Sequence, residues 1–249
     1  MLWHCGYPDL ALAASEETIA TGNQAHPFGL AIALTYAAML HVFRGDLARA
    51  LACAEEAGAV CTRFEIAYYS SMAEIVAGWS RAVQGDAELG LSQLRRGLDA
   101  LRTTGAELRS PFYHALLAEA CARAAKPGEA MAHISNGLAF QNKNGEVWAA
   151  PYLHLIHGDV LLQQGSSEQA VSSYQRALEA AQGTGARLLA LRSAVRICRT
   201  EPDEAFVRPI LQDLWSHFTE GFQTQELREA RNLLDGSTGT VAARANRQD

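Results

Sequence analysis

An all-α fold, a superhelix of about five and a half stacked helical hairpins, is what this sequence predicts, and three observations predict it. First, a small residue recurs on a 40-residue beat at Gly45, Gly85 and Gly165, with Ala125 on the missing beat and Gly6 one residue off. Second, another small residue follows five positions on (Ala11, Ala50, Gly90, Ala130, Ala170), and an apolar one comes next (Leu12, Leu51, Leu91, Met131, Val171). Such self-similarity marks a stacked repeat, in which each unit buries its apolar face on its neighbours. Third, hydrophobic residues make up 49% of the 249 and are rich in Ala. That bias suits closely packed helices better than sheets.

Each beat reads as the turn inside a helical hairpin. Glycine supplies the left-handed backbone that ends one helix, and the Asp, Ser or Pro after it can start the next through capping or a preset φ. These turns are Gly6-Tyr-Pro-Asp9, Arg44-Gly-Asp46, Gln84-Gly-Asp86, Ala125-Lys-Pro-Gly128 and Gln164-Gly-Ser-Ser167. Second turns at Gly22-Asn23, Thr104-Gly105, Asn142-Lys-Asn-Gly145 and Thr184-Gly185 join one hairpin to the next. Pro27, Pro111 and Pro151 fall near helix starts, where a missing N–H costs little. In order, helices are expected over residues 8–22, 27–44, 46–63, 65–84, 86–103, 108–125, 128–141, 147–164, 167–183, 186–199, 203–219 and 224–235. Apolar periodicity stops at Gly236, so residues 1–235 read as the repeat domain and 236–249 as a disordered tail.

A formal net charge of −6 and a pI near 5.8 argue against nucleic acid as a partner. The densest basic pair, Arg95-Arg96, shares its helix with Asp99 and reads as a solvated face. The five cysteines are odd in number and form no CxxC pair, so they read as reduced, mostly buried small apolar residues. Met1-Leu-Trp-His lacks the basic start and long apolar core of a secretory signal. No uncharged apolar run reaches the ~18 residues of a membrane span. A cytoplasmic setting without membrane contact is expected. Leu2-Trp-His-Cys-Gly6 reads as the last turn of a helix, which makes the first repeat half present and suggests a piece of a longer chain. The helix over 8–22, with Leu10, Leu12 and Ile19, is then expected to fray or to pair in a dimer.

The beat resembles the tetratricopeptide repeat, lengthened from its usual length of about 34 residues. That resemblance implies one small residue on the first helix of each hairpin, at Ala38, Gly78, Ala118 and Gly158. It implies two on the second helix, at Ala50/Ala57, Gly90/Gly97, Ala130/Gly137 and Ala170/Ala177. All of these are Gly or Ala, while the Pro that often closes the motif is absent. A narrower resemblance lies in Leu94-Arg-Arg-Gly-Leu98 through Thr103-Thr-Gly-Ala-Glu107, Leu116-Leu-Ala-Glu119, and Phe218-Thr-Glu-Gly-Phe222 with Leu227 through Leu234. These segments resemble the C-terminal repeat region of bacterial signalling proteins that carry a class III adenylate/guanylate cyclase domain followed by an AAA-type ATPase domain. The enzymatic parts have no counterpart here, since no GxxxxGK[ST] loop occurs.

Tetratricopeptide geometry implies a groove lined by first helices. Its members would be Met39, Val42, Phe43, Met72, Ile75, Trp79, Phe112, Glu119 and Arg123, then Tyr152, Asp159 and Gln163. Such a face could hold a peptide by apolar anchors and a few oriented charges; the apolar members are equally suited to packing between long helices. Tyr68, Tyr69 and Trp79 form the main aromatic cluster, suited to core or to a small-molecule pocket. Trp3, Trp148 and Trp215 read as anchors between helices. His154 and His157 share a helix face as some metal ligands do, with His114 one repeat earlier, but Asp159 is turned away, and polar surface roles fit these histidines better. The expected function is a non-catalytic scaffold for a protein, a peptide or other domains of a parent chain, with no cofactor. The alternative is an inducer-sensing repeat domain of an ATP-dependent transcriptional regulator. Replacing Ala118 or Gly158 with Leu should overpack a hairpin and cost about 1–3 kcal/mol, and an unchanged thermal midpoint in both variants would refute this register.

Overall fold

The computed structural model describes residues 1–201 and 206–245. These residues form twelve α-helices and no strand, packed in consecutive pairs. They are α1 (Pro8–Ala25), α2 (Pro27–Arg44), α3 (Leu47–Arg63), α4 (Ala67–Gln84), α5 (Ala87–Thr103), α6 (Ser110–Arg123), α7 (Pro127–Asn144), α8 (Ala150–Gln163), α9 (Ser167–Thr184), α10 (Arg187–Thr200), α11 (Val207–Ser216) and α12 (Gln225–Ala245). The eighth helix begins later than expected because Val147–Ala149 forms a 3-10 turn ahead of it. The expected start of the eleventh, at 203, lies outside the described residues, and so do positions 246–249 of the expected tail. The last helix continues past Gly236 to Ala245, since a helix needs only its backbone ladder and can outrun its apolar stripe.

The 40-residue beat is one repeated piece of backbone. At Gly45 the amide donates to the Val42 carbonyl at 3.1 Å and the next amide, Asp46, to His41 at 3.0 Å. The same pair of bonds recurs at Gly6/Tyr7, Gly85/Asp86, Ala125/Lys126 and Gly165/Ser166. This doubly bonded C-terminal cap requires a left-handed residue. Glycine adopts that conformation freely, whereas Ala125 holds it at φ 55 against the strain of its Cβ. Helix starts are made locally: His26 accepts from the Phe28 amide ahead of Pro27, and the Asp46 carboxylate accepts from the Arg49 amide.

The helices form two compact units, Leu10–Ala149 and Met1–Asp9 with Ala150–Asp249. In the first, α2/α3, α4/α5 and α6/α7 are the hairpins. In α4/α5 the two backbones nearly touch: a Cβ on Gly78 would lie 2.6 Å from the Leu94 nitrogen, and one on Gly90 would lie 2.4 Å from the Ala82 nitrogen. Every small residue that the repeat register singles out is buried. Leu91, Leu94, Leu98 and Leu101 form the inward stripe of α5. The helix α2 is long and apolar enough to cross a bilayer by length and composition (18 residues, mean hydropathy 1.3), and 56% of it is buried inside the bundle. Arg95 and Arg96 pair with Glu129 and Glu74 on the surface, contacts that contribute little.

In the second unit the first nine residues are clasped by the C-terminal helices. Trp3, 2% exposed, lies beneath the Arg192 guanidinium, 5.3 Å from its ring centre, and Arg192 also pairs with the buried Glu226. The Gly221 amide donates to the Asp9 carboxylate at 2.9 Å, while the Asp9 amide donates to the Glu220 carboxylate at 2.9 Å. The Pro8 ring fills the space beside Gly221, where a Cβ would meet it at 2.1 Å. The Phe218–Phe222 stretch therefore acts as the receptor for the chain's start. The first turn of α1 is tied down where fraying was expected, although Leu10 remains half exposed.

Replacing Ala125 with Gly removes the left-handed strain and should stabilise the protein by about 1 kcal/mol. Replacing Gly85 with Ala should do the reverse, and chemical denaturation of both variants against the parent checks the opposite signs.

Candidate functional site

The structure buries most of the expected groove. Met72, Ile75 and Phe112 have no exposed surface, and Met39, Val42, Phe43, Trp79 and Tyr152 show 6% or less. These inward side chains meet each other and not solvent: Phe43 packs on Phe112 with ring centres 5.1 Å apart, and Phe112 on Trp148 at 5.5 Å. They are core in this arrangement. Glu119 accepts a 2.9 Å hydrogen bond from the Trp79 indole, across one repeat. In the other unit Asp159 accepts from the Tyr174 hydroxyl at 2.7 Å and pairs with Arg196 at 2.9 Å. Arg123 and Gln163 are the exposed members of the set.

The histidine string is also part of the packing. His157 Nδ1 lies 3.0 Å from the buried Ser173 hydroxyl, which donates to the His154 carbonyl. His114 lies beside His133, with their Nδ1 atoms 3.2 Å apart, and its ring stacks on Phe140. Among the described residues no group of three or more His, Cys, Asp or Glu could hold a metal ion. Cys53, Cys61, Cys121 and Cys198 are buried, and burial raises their thiol pKa; no cysteine forms a disulfide.

The expected Tyr68-Tyr69-Trp79 cluster divides. Trp79 belongs to the core, while the half-buried Tyr68 and Tyr69 join a separate aromatic face in the Leu10–Ala149 unit. Tyr69 meets Phe28 edge-on with centres 5.8 Å apart. At the middle of this face is Arg109, which holds the left-handed conformation (φ 66) just ahead of α6. Its guanidinium donates to the Tyr68 hydroxyl at 3.1 Å and to the Tyr36 hydroxyl, and it lies over the Tyr36 ring, 5.1 Å from the centre. Its backbone N–H is gripped by both oxygens of Glu146, at 2.9 and 3.0 Å, and Glu146 also accepts from the Trp148 indole at 2.6 Å. Glu146 thus fixes a backbone conformation that Arg does not favour. Tyr36, Arg109, Tyr113 and Glu146 were not singled out from sequence. The available signal was the repeat itself, since Tyr68, Arg109 and Trp148 fall about one beat apart. Two open clefts flank the same unit, about 380 Å³ beside Gly22, His26, Leu30 and Phe64, and about 310 Å³ beside Arg102, Glu107, His114 and Phe140.

Burial makes His41, His114, His133, His154 and His157 harder to protonate, and the same cause lowers His4; His4, His114 and His154 reach about 4. The unfolded chain then binds more protons than the folded one below the ordinary value of 6.5. Their contribution to stability is complete above that pH and is lost as pH falls towards 4. The urea midpoint should therefore decline from pH 7 to 5, and His114→Gln should flatten the decline. A midpoint constant over that range would contradict the burial of these rings.

No curated protein matches the chain. A family model of the tetratricopeptide repeat-like domain matches residues 30–194, spanning α2 through α9 and part of α10, which covers the small-residue register and the Arg109 face. The chain belongs to the tetratricopeptide repeat-like domain family.

Proposed function

We propose that the chain is a non-catalytic scaffold that holds a protein or peptide partner through the aromatic face around Arg109. The observation that carries this reading is the composition of that face on a domain class that generally mediates protein–protein contact. Tyr36, 41% exposed, lies against the Arg109 guanidinium, and Phe28, 47% exposed, packs on Tyr69, the neighbour of Tyr68. Aromatic rings and arginine are the residues that dominate binding energy at interfaces. The partner surface is thereby moved from the buried Phe43, Met72, Ile75 and Trp79 to the exposed side chains beside them. The narrower resemblance supports a regulatory module of a bacterial cytoplasmic protein with cyclase and ATPase domains, in which the partner is either another domain of that protein or a separate chain.

A second reading, inducer sensing, is favoured by the roughly 310 Å³ cleft, whose mixed lining of Arg102, Glu107, His114 and Phe140 suits a small polar metabolite. Affinity capture from the cells of origin separates the two. The scaffold reading expects a partner that is retained by the parent chain and lost with Tyr36→Ser and Phe28→Ser, at an unchanged thermal midpoint. Undiminished capture by the double variant, together with a metabolite that raises the midpoint, would move the function to the cleft.

A further inference from the structure

We propose that the first nine residues are an exchangeable arm, which can leave its own C-terminal helices and dock on those of a second copy of this chain. The two copies exchange arms reciprocally, each arm making on its partner the contacts it makes within its own chain. No residue of the arm or of its receptor belongs to the Arg109 face, so this inference goes beyond the scaffold reading and does not rest on it.

The arm is a self-contained ligand. Its turn is held by its own bonds, from the Cys5 amide to the Met1 carbonyl, from Gly6 to Trp3 and from Tyr7 to Leu2, each 3.1 Å, so it keeps its shape wherever it docks. Its receptor lies in the C-terminal helices and the turn ahead of α12. Trp3 is buried under the Arg192 guanidinium, which the buried Glu226 holds in place. The Leu188 amide donates to the His4 carbonyl at 3.4 Å, and a Cβ on Gly6 would lie 3.1 Å from Phe218 and 3.4 Å from Arg187. With Asp9 accepting from the Gly221 amide and Pro8 seated beside Gly221, the receptor fits the arm by shape and by directed bonds.

The connector permits the exchange. Residues 1–9 group with the C-terminal unit, while the chain from Leu10 to Ala149 forms the other. Beyond Asp9, the described residues of α1 that are buried are Ala11 and Gly22, and Ile19 rests on the cluster of Leu34, Ala57 and Ala73. From Ala13 to Thr18 every side chain is partly or fully exposed. A helix held so little by packing is marginal. The Thr18 and Thr21 hydroxyls also turn back to the Ala14 and Glu17 carbonyls, at 2.7 and 2.9 Å, bonds that weaken and bend a helix. Opening this stretch costs little, and docking on the second copy restores every contact of the arm. Tethering then sets the balance, because a tethered segment meets its receptor at about millimolar effective concentration. Below that the arm closes within its own chain, and above it the second copy competes.

Two full-length variants test this, each unable to close on itself. Trp3→Ala with Asp9→Ala spoils the arm and leaves the receptor intact. Gly221→Ala leaves the arm intact and spoils the receptor, since its methyl group would lie 2.1 Å from Pro8 on a left-handed backbone. Mixed at about 1 mM each, they should form a one-to-one dimer by light scattering, whereas each alone stays monomeric. In that dimer the Trp3 indole signal of the 15N-labelled Gly221→Ala chain, displaced when the variant is alone, should return to its parent position. A mixture that stays monomeric, or a dimer formed by either variant alone, would overturn the proposal. Should a variant fail to fold, two differently labelled pools of the parent chain, refolded together from urea above about 1 mM, should show energy transfer between labels, and its absence would be equally decisive against exchange.

Discussion

The close approach of paired helices is the constraint from which the rest follows. Where Gly78 faces Gly90, the two backbones come so near that a single added carbon would overlap peptide atoms. That proximity brings carbonyls and amides of neighbouring helices into van der Waals contact and increases the packing available to the leucine stripe of α5. It also fixes how the helices enter and leave each turn. The left-handed caps at the 40-residue beat are the covalent counterpart, since each closes its helix with the same two hydrogen bonds. Hairpin α8/α9 solves the same problem differently. The Tyr174 ring occupies the space beside Gly158 and carries its hydroxyl to Asp159, so a polar link takes the place of backbone contact.

The same geometry creates the face around Arg109. Close stacking drives the inward aromatic rings against each other, Phe43 on Phe112 and Phe112 on Trp148, and removes them from solvent. Not every side chain of the first helices is buried in that way: Tyr36 on α2 and Tyr68 in the first turn of α4 stay partly exposed and meet Arg109, the residue just ahead of α6, which Glu146 holds in its unfavoured conformation. A strained residue held by its neighbours and aimed outward is a common feature of binding sites. In the other unit, comparable polar effort goes into structure. The Asp9 and Glu220 exchange and the Arg192–Glu226 pair hold the start of the chain on the last helices.

The fold was legible because its two determinants are local. A small residue at fixed spacing and a glycine at a turn can both be read one position at a time, and Ala125 shows that even the exception keeps the backbone. The site was not legible for a matching reason. Position in a repeat tells which helix a residue is on, but exposure depends on what the adjacent repeat places over it. Phe43 and Trp79 occupy positions that the tetratricopeptide resemblance assigns to a groove, yet here both are buried, Phe43 against Phe112 and Trp148 and Trp79 with its indole on Glu119. Arg109 has no motif of its own, since its role depends on Tyr36, Tyr68 and Glu146, which lie up to 73 positions away. The Phe218–Phe222 stretch was legible as a distinctive string, while its work as a clasp for Pro8 and Asp9 needed the two ends to be seen together.

A double-mutant cycle on Gly78→Ala and Gly90→Ala measures the central contact most directly, because each new methyl group would enter the same gap, 2.8 Å and 2.6 Å from the opposite carbonyl oxygen. Close backbone approach predicts that each single variant loses about 1–3 kcal/mol and that the double variant loses clearly less than the sum, by at least about 0.5 kcal/mol, since helices parted once need not part again. Neutral single variants, or losses that simply add, would contradict it.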